Sequence, residues 1–207
     1  MKGVERRAQI FSDVFCPLLV PTYGMAVAMW VTPLRVLPEK ARLLATLLIA
    51  IITGLAPLCF IVALKKVGLV SDNSLSDRRQ RPAPMIVTMI CYIGAGLFLS
   101  SASSPLWLQL FFYGAAVATL IATLITLRWK ISAHAIALGG LEGMLLWLAV
   151  GSLSDVNPMV LLTIGLVIAG GVGTSRLLLN RHTLAQVVAG FFLGLVCTFF
   201  STMFFYL

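Results

Sequence analysis

The sequence predicts an all-α fold, a polytopic bundle of membrane-spanning helices, on three observations. Hydrophobic residues make up 60% of the 207-residue chain and charged residues 11%, with a mean hydropathy of +1.03. A soluble domain of this length carries far more charge. Apolar runs repeatedly reach the roughly 20 residues that a helix needs to cross about 30 Å of hydrocarbon. Finally, no polar stretch exceeds roughly twenty residues, which leaves no room for a separate soluble domain. Residues 1–207 therefore read as one transmembrane domain.

The apolar runs place spans near 14–34, 41–64, 84–101, 105–127, 134–153, 158–178 and 183–206. The last six are the core helices; the first is an additional N-terminal segment. That segment follows a basic start and carries an A-x-A at Ala26–Ala28, like a secretory leader, but Pro17 and Pro21 break its apolar run. It reads as a first membrane helix, or as a re-entrant one, rather than a cleaved signal. The third run is short and is followed by "SSASSP", so 84–127 is expected to be a tight helical hairpin. Cys16, Cys59, Cys91 and Cys197 stand singly in apolar runs without metal-ligand spacing. The aromatic tail "FFSTMFFYL" suits lipid contact and interfacial anchoring.

The formal net charge is +8, from 15 Lys and Arg against 7 Asp and Glu. No basic patch is interleaved with aromatics in the manner of single-stranded nucleic-acid binders, so no nucleic-acid partner is expected. The charge gathers instead in islands: "KKVGLVSDNSLSDRRQRPAP" at 65–84, "LRWKISAH" at 127–134, and a third inside "GVGTSRLLLNRHTLAQVVAGFF" at 171–192. These islands follow the second, fourth and sixth spans. An even number of crossings separates them, so all three face the same side of the membrane. With seven spans, that side holds twelve basic residues, and the other only Arg35, Lys40 and Arg42. The positive-inside rule then puts the islands in the cytoplasm; a re-entrant first segment would move the N-terminal charges to the other side.

The third island carries the most chemistry. His182 and Gln186 are four residues apart and share a helix face. A carboxamide oxygen there accepts the imidazole N–H and fixes the tautomer, leaving the other ring nitrogen free to attack. Arg176 lies six residues before His182, about 240° around a continuous helix, so the two share a site only if the helix breaks between them. "LNRHT" offers the break, with Asn180 as the expected N-cap. The second island puts Ser132 and His134 at the head of the next apolar run, and histidine bordering a membrane span is costly and often functional. The first places Arg78, Arg79 and Arg81 before Pro82, a residue suited to a first helical turn. Both histidines of the chain thus lie on one membrane side beside arginines. Guanidinium groups match phosphate oxygens, and two histidines can divide nucleophile from general acid. Phosphate-ester hydrolysis follows as the chemistry of this set.

In these motifs the sequence resembles the type 2 phosphatidic acid phosphatases. Their pattern is a lysine, six intervening residues and RP; then PSGH; then SR, five residues, H, three residues and D. This chain has Arg81-Pro82, "ISAH" at 131–134 and "SRLLLNRHTLAQ" at 175–186, and the resemblance covers roughly 60–206. It implies an integral protein of a bacterial plasma membrane that dephosphorylates a lipid phosphate without metal or other cofactor. It also implies that His182 attacks phosphorus to form a phosphohistidine and that His134 protonates the leaving alcohol. Arg81, Arg176, Ser132 and Ser175 would surround the phosphate. Three departures stand out. The motif lysine falls on Ser74, for which Arg78 or Arg79 would substitute; the PSGH proline and glycine are Ile131 and Ala133; and the motif aspartate is Gln186.

Glu142, a carboxylate inside an apolar run, is a candidate supporting residue for the site, against an ordinary buried pairing with a base. "GGVG" at 170–173 reads as close helix packing rather than as a joint. Two other functions compete with the phosphatase: an inert lipid-phosphate binder on the same fold, suggested by Ser74 and Gln186, and a prenyl transferase. The latter needs acidic pairs for magnesium diphosphate, and Asp72 with Asp77 is a poor set. The phosphatase reading requires His182, His134, Arg81 and Arg176 to converge on one pocket.

Overall fold

The computed structural model describes residues 2–70 and 77–204. Asp72, Ser74 and the last three residues of the aromatic tail lie outside the described residues. The chain is all-α, with eight helices among the described residues: α1 Lys2–Val14, α2 Val20–Val31, α3 Glu39–Lys66, α4 Pro82–Ser101, α5 Leu106–Thr126, α6 Ala133–Val150, α7 Pro158–Leu178 and α8 Leu184–Met203. Helices α3 to α8 are each long and apolar enough to cross a membrane, so the protein is an integral membrane protein. Their outer faces expose Leu43, Leu47, Leu97, Leu124, Val167 and Phe200, side chains that hydrocarbon solvates as well as a core does. Within α3, Pro57 has no N–H to give the carbonyl four residues back. A single π turn at Ile51–Leu55 absorbs the fault.

Segment 14–34 is not one long span. Val14 ends α1, the chain turns through 15–19 around Pro17, and α2 has only 12 residues. At 1.5 Å per residue that helix is roughly 18 Å long, short of the roughly 30 Å of hydrocarbon. The segment nevertheless joins the two ends of the bundle. At one end Ser12 accepts a hydrogen bond from Arg176 Nη1 at 3.0 Å. At the other, Asp155 N donates to Val31 O at 2.9 Å, and Arg35 pairs with Asp155 at 2.9 Å. The N-terminal helix therefore sits at the end where the three islands meet.

The expected hairpin forms: α4 and α5 run antiparallel through the bend at 102–105, where Ser103 takes φ 52°. The tightest seam joins α6 and α8, which run parallel. Gly139 faces the Phe191 carbonyl and Gly194 the Ile136 carbonyl, with no room for a Cβ at either glycine. Thr198 Oγ1 crosses the seam to Gly140 O at 2.8 Å. Small residues allow this backbone approach, the main route to packing helices in lipid. The apolar core lies toward the far end, around Met25, Phe112, Met144 and Leu148, where Trp107 stacks on Trp147 with centroids 5.3 Å apart.

Candidate active site

Helices α4, α6 and α8 all start at the island end, so their positive dipole ends point at one region. Arg81, Ser132 and Thr183 are the respective cap residues. Cross-links hold the three starts together: Arg81 Nη1 donates to Ile131 O at 3.1 Å, Arg78 Nη1 to Leu127 O at 2.6 Å, and Ser132 N to Gln186 O at 3.3 Å. An anion placed among these ends meets backbone N–H groups, helix dipoles and guanidinium charge together.

The break between Arg176 and His182 is real, but Asn180 is not the N-cap of α8. It adopts φ 51°, and its N–H bonds Leu177 O at 2.9 Å while Arg181 N bonds Arg176 O at 3.0 Å. That paired pattern closes the C-terminus of α7, and asparagine tolerates the left-handed conformation it requires. The N-cap of α8 is Thr183, in a capping box with Gln186. The reversal takes a few residues and returns His182 to the level of Arg176.

The capping box also determines the histidine tautomer. Thr183 N–H donates to Gln186 Oε1 at 3.2 Å, so this atom of the carboxamide is the oxygen. The same oxygen lies 3.0 Å from His182 Nδ1. An oxygen acceptor requires Nδ1 to carry the proton, which leaves the lone pair of neutral His182 on Nε2. Burial, reinforced by the charges of Arg81, Arg176 and Lys130 and opposed by the Gln186 hydrogen bond, holds the His182 pKa down, to about 4. The ring is a neutral base at pH 7.

His182, His134, Arg81 and Arg176 all line one cavity of ≈ 350 Å³. His182, Arg81 and Arg176 are each 8% exposed. Arg176 Nε is buried and without a hydrogen-bond partner among the described residues. Away from this polar end the cavity runs inward between α4, α5, α6 and α8, past Thr88, Tyr92, Phe111, Ala115 and Gly140. The polar site opens directly into an apolar chamber.

Other expected site residues lie elsewhere. Ser132 is fully buried and its hydroxyl accepts from Ala135 N at 3.4 Å as the cap of α6; Ser175 Oγ donates to Gly171 O at 2.9 Å inside α7. Neither lines the cavity. Arg78 and Arg79 do not line it either: Arg78 spans to Leu127, and Arg79 is exposed. Glu142 points at Gly165 of α7, outside the cavity, with Oε1 unpartnered among the described residues. In "GGVG", Gly171 receives the Phe11 ring of α1 within an unbroken helix, so it is packing and not a joint. Among the described residues, no group of three His, Cys, Asp or Glu could hold a metal ion.

Sequence reasoning missed the contribution of α1. Gln9 and Asp13 line the cavity, as does Cys16 just after the helix, and Ser12 touches Arg176. The signal was the amphipathic pattern of "KGVERRAQIFSDV", which suits a helix lying on the bundle at the membrane boundary rather than a span. Comparisons with protein-family models, with curated proteins and with solved structures find no match.

Proposed function

We propose that the protein is an integral-membrane phosphatase, in a bacterial plasma membrane, that hydrolyses a lipid phosphate or diphosphate through a phosphohistidine. The observation that carries this reading is the convergence of His182, His134, Arg81 and Arg176 on a cavity whose polar end opens into an apolar interior. The phosphate would sit among the guanidinium groups of Arg81 and Arg176 and the starts of α4, α6 and α8, with the lipid chain in the chamber. His182 Nε2 attacks phosphorus, the ester P–O bond breaks, and His134 gives its proton to the departing alkoxide. Gln186 O holds the Nδ1 proton as the ring becomes cationic. In the second step His134 takes a proton from water, the resulting hydroxide attacks phosphorus, and the P–N bond breaks. Inorganic phosphate and neutral His182 are regenerated. Guanidinium charge and helix dipoles stabilise the negative oxygens in both transition states.

Phosphate release from a panel of lipid phosphates in detergent, with chelator present, tests the reading. The expected result is turnover by the parent and by Cys59→Ser, and none by His182→Ala. Equal activity of His182→Ala and parent overturns it.

One observation favours a second reading, a lipid-phosphate binder without turnover: the partner of His182 is a neutral amide that cannot neutralise an imidazolium. Binding of lipid phosphates that depends on Arg81 and Arg176, without hydrolysis of any of them, would select it.

A further inference from the structure

We infer that Ser12 of the N-terminal helix is a positioning residue of the phosphate site, holding the Arg176 guanidinium in place. The inference rests on the phosphatase reading, and concerns a segment outside the three motifs. Arg176 occupies the last turn of α7, and nothing in α7 itself fixes the end of so long a side chain. Ordering a free arginine costs rotamer entropy. Ser12 is fully buried, and its Oγ accepts from Arg176 Nη1 at 3.0 Å. One hydroxyl of α1 thus fixes the far end of the α7 arginine beside the cavity. With Nη1 taken by Ser12, the unpartnered Nε remains for the ligand.

The docking of α1 makes this contact durable. Phe11, next to Ser12, lies over Gly171, where a Cβ would stand 2.8 Å from its ring. Ala8, one turn earlier, is 6% exposed, while Val4, Ile10 and Val14 point outward. The helix is therefore clamped by its inner face at the level of the site. A serine hydroxyl facing a guanidinium at zero exposure is more than apolar packing needs, because alanine would fill the position without a polar group to satisfy.

The test uses the full chain in detergent micelles and two readouts, the Kd for inorganic phosphate and the KM and kcat for a lipid phosphate. A hydrogen bond to a charged group contributes about 1.5 kcal/mol or more, so Ser12→Ala should weaken phosphate affinity and raise KM by about tenfold, with kcat within about twofold. Ser12→Cys, close in size but a weak acceptor, should do the same with an unchanged thermal midpoint. In an Arg176→Lys background, Ser12→Ala should add nothing, since it acts through the arginine. Unchanged Kd and KM in Ser12→Ala, or full additivity with Arg176→Lys, overturns the inference while leaving the phosphatase reading intact. A parent that binds phosphate without turnover still decides the matter through Kd. A parent that neither binds nor hydrolyses phosphate ends both.

Discussion

His182 Nδ1 and Gln186 Oε1 lie 3.0 Å apart across one turn of α8, and the oxygen between them also accepts the Thr183 N–H at 3.2 Å. A single neutral atom thus serves both the fold, as half of a capping box, and the chemistry, as the fixer of a tautomer. Glutamine does this without charge, so the ring is oriented correctly but its cationic form is not neutralised. Replacing Asp by Asn in the serine-protease triad loses about 10⁴ in rate because the tautomer is wrong; here the tautomer is right, so the deficit should be smaller.

Gln186→Asp should therefore raise kcat for phosphate release, by about 10-fold or more and less than the 10⁴ of that precedent. Gln186→Leu should lower kcat and also lower the thermal midpoint, because the Thr183 N–H loses its partner in the capping box. Phosphate release and a melting curve on the same preparations check both. Equal kcat in Gln186→Asp and the parent would remove the charge argument.

The His182 ring should stay neutral far into acid. Its folded pKa lies near 4, below the ordinary value of 6.5, so on acidification the unfolded chain takes up the proton first. His182 then favours the folded state fully above pH about 6.5 and progressively less down to about 4. Nitrogen NMR of labelled histidine should show an Nδ1–H tautomer between those limits. In Gln186→Asp the midpoint should move upward, because a carboxylate favours the imidazolium. A midpoint at or above 6.5 in the parent contradicts the buried, arginine-flanked setting.

The α6–α8 seam should not tolerate bulk. Gly194→Val puts side-chain atoms into the Ile136 carbonyl, and overpacking of this kind costs about 1–3 kcal/mol. Because Ser132 N is bonded to Gln186 O at the top of the same seam, activity should fall together with the thermal midpoint. Gly170→Val is the control, since nothing lies within 4 Å of a Cβ there.

The inner chamber should measure the chain and ignore the phosphate. Ala115→Phe fills it well below the histidines. The expected outcome is a loss of about 10-fold or more in kcat/KM for a long-chain lipid phosphate, the scale of about 1.4 kcal/mol of lost binding. A short soluble phosphate ester should be hydrolysed as before. An equal effect on both substrates means that the chain binds elsewhere.

The bundle was legible because lipid imposes a simple length and composition rule, and the parity of the crossings brought Arg81, His134 and His182 to one end without any structural input. The tautomer argument for His182 and Gln186 was legible because residues four apart on a helix must face one another. Asn180 was misassigned because a left-handed C-cap and an N-cap favour the same residue type; "TLAQ", a Thr-x-x-Gln capping box, was the better marker of where α8 starts. Ser132 and Ser175 looked like phosphate ligands because they sit in the right motifs, yet each hydroxyl is committed to its own helix, a use that spacing does not reveal. The role of Ser12 depends on a contact spanning 164 residues of sequence, which no local pattern encodes.

Backbone contact along the α6–α8 seam has one more consequence. His134 stands at the head of α6 and His182 just ahead of α8, so the two rings are mounted on two rods held together by Gly139, Gly194 and Thr198. The rods cannot part without tearing backbone from backbone. They form the fixed jaw of the candidate site.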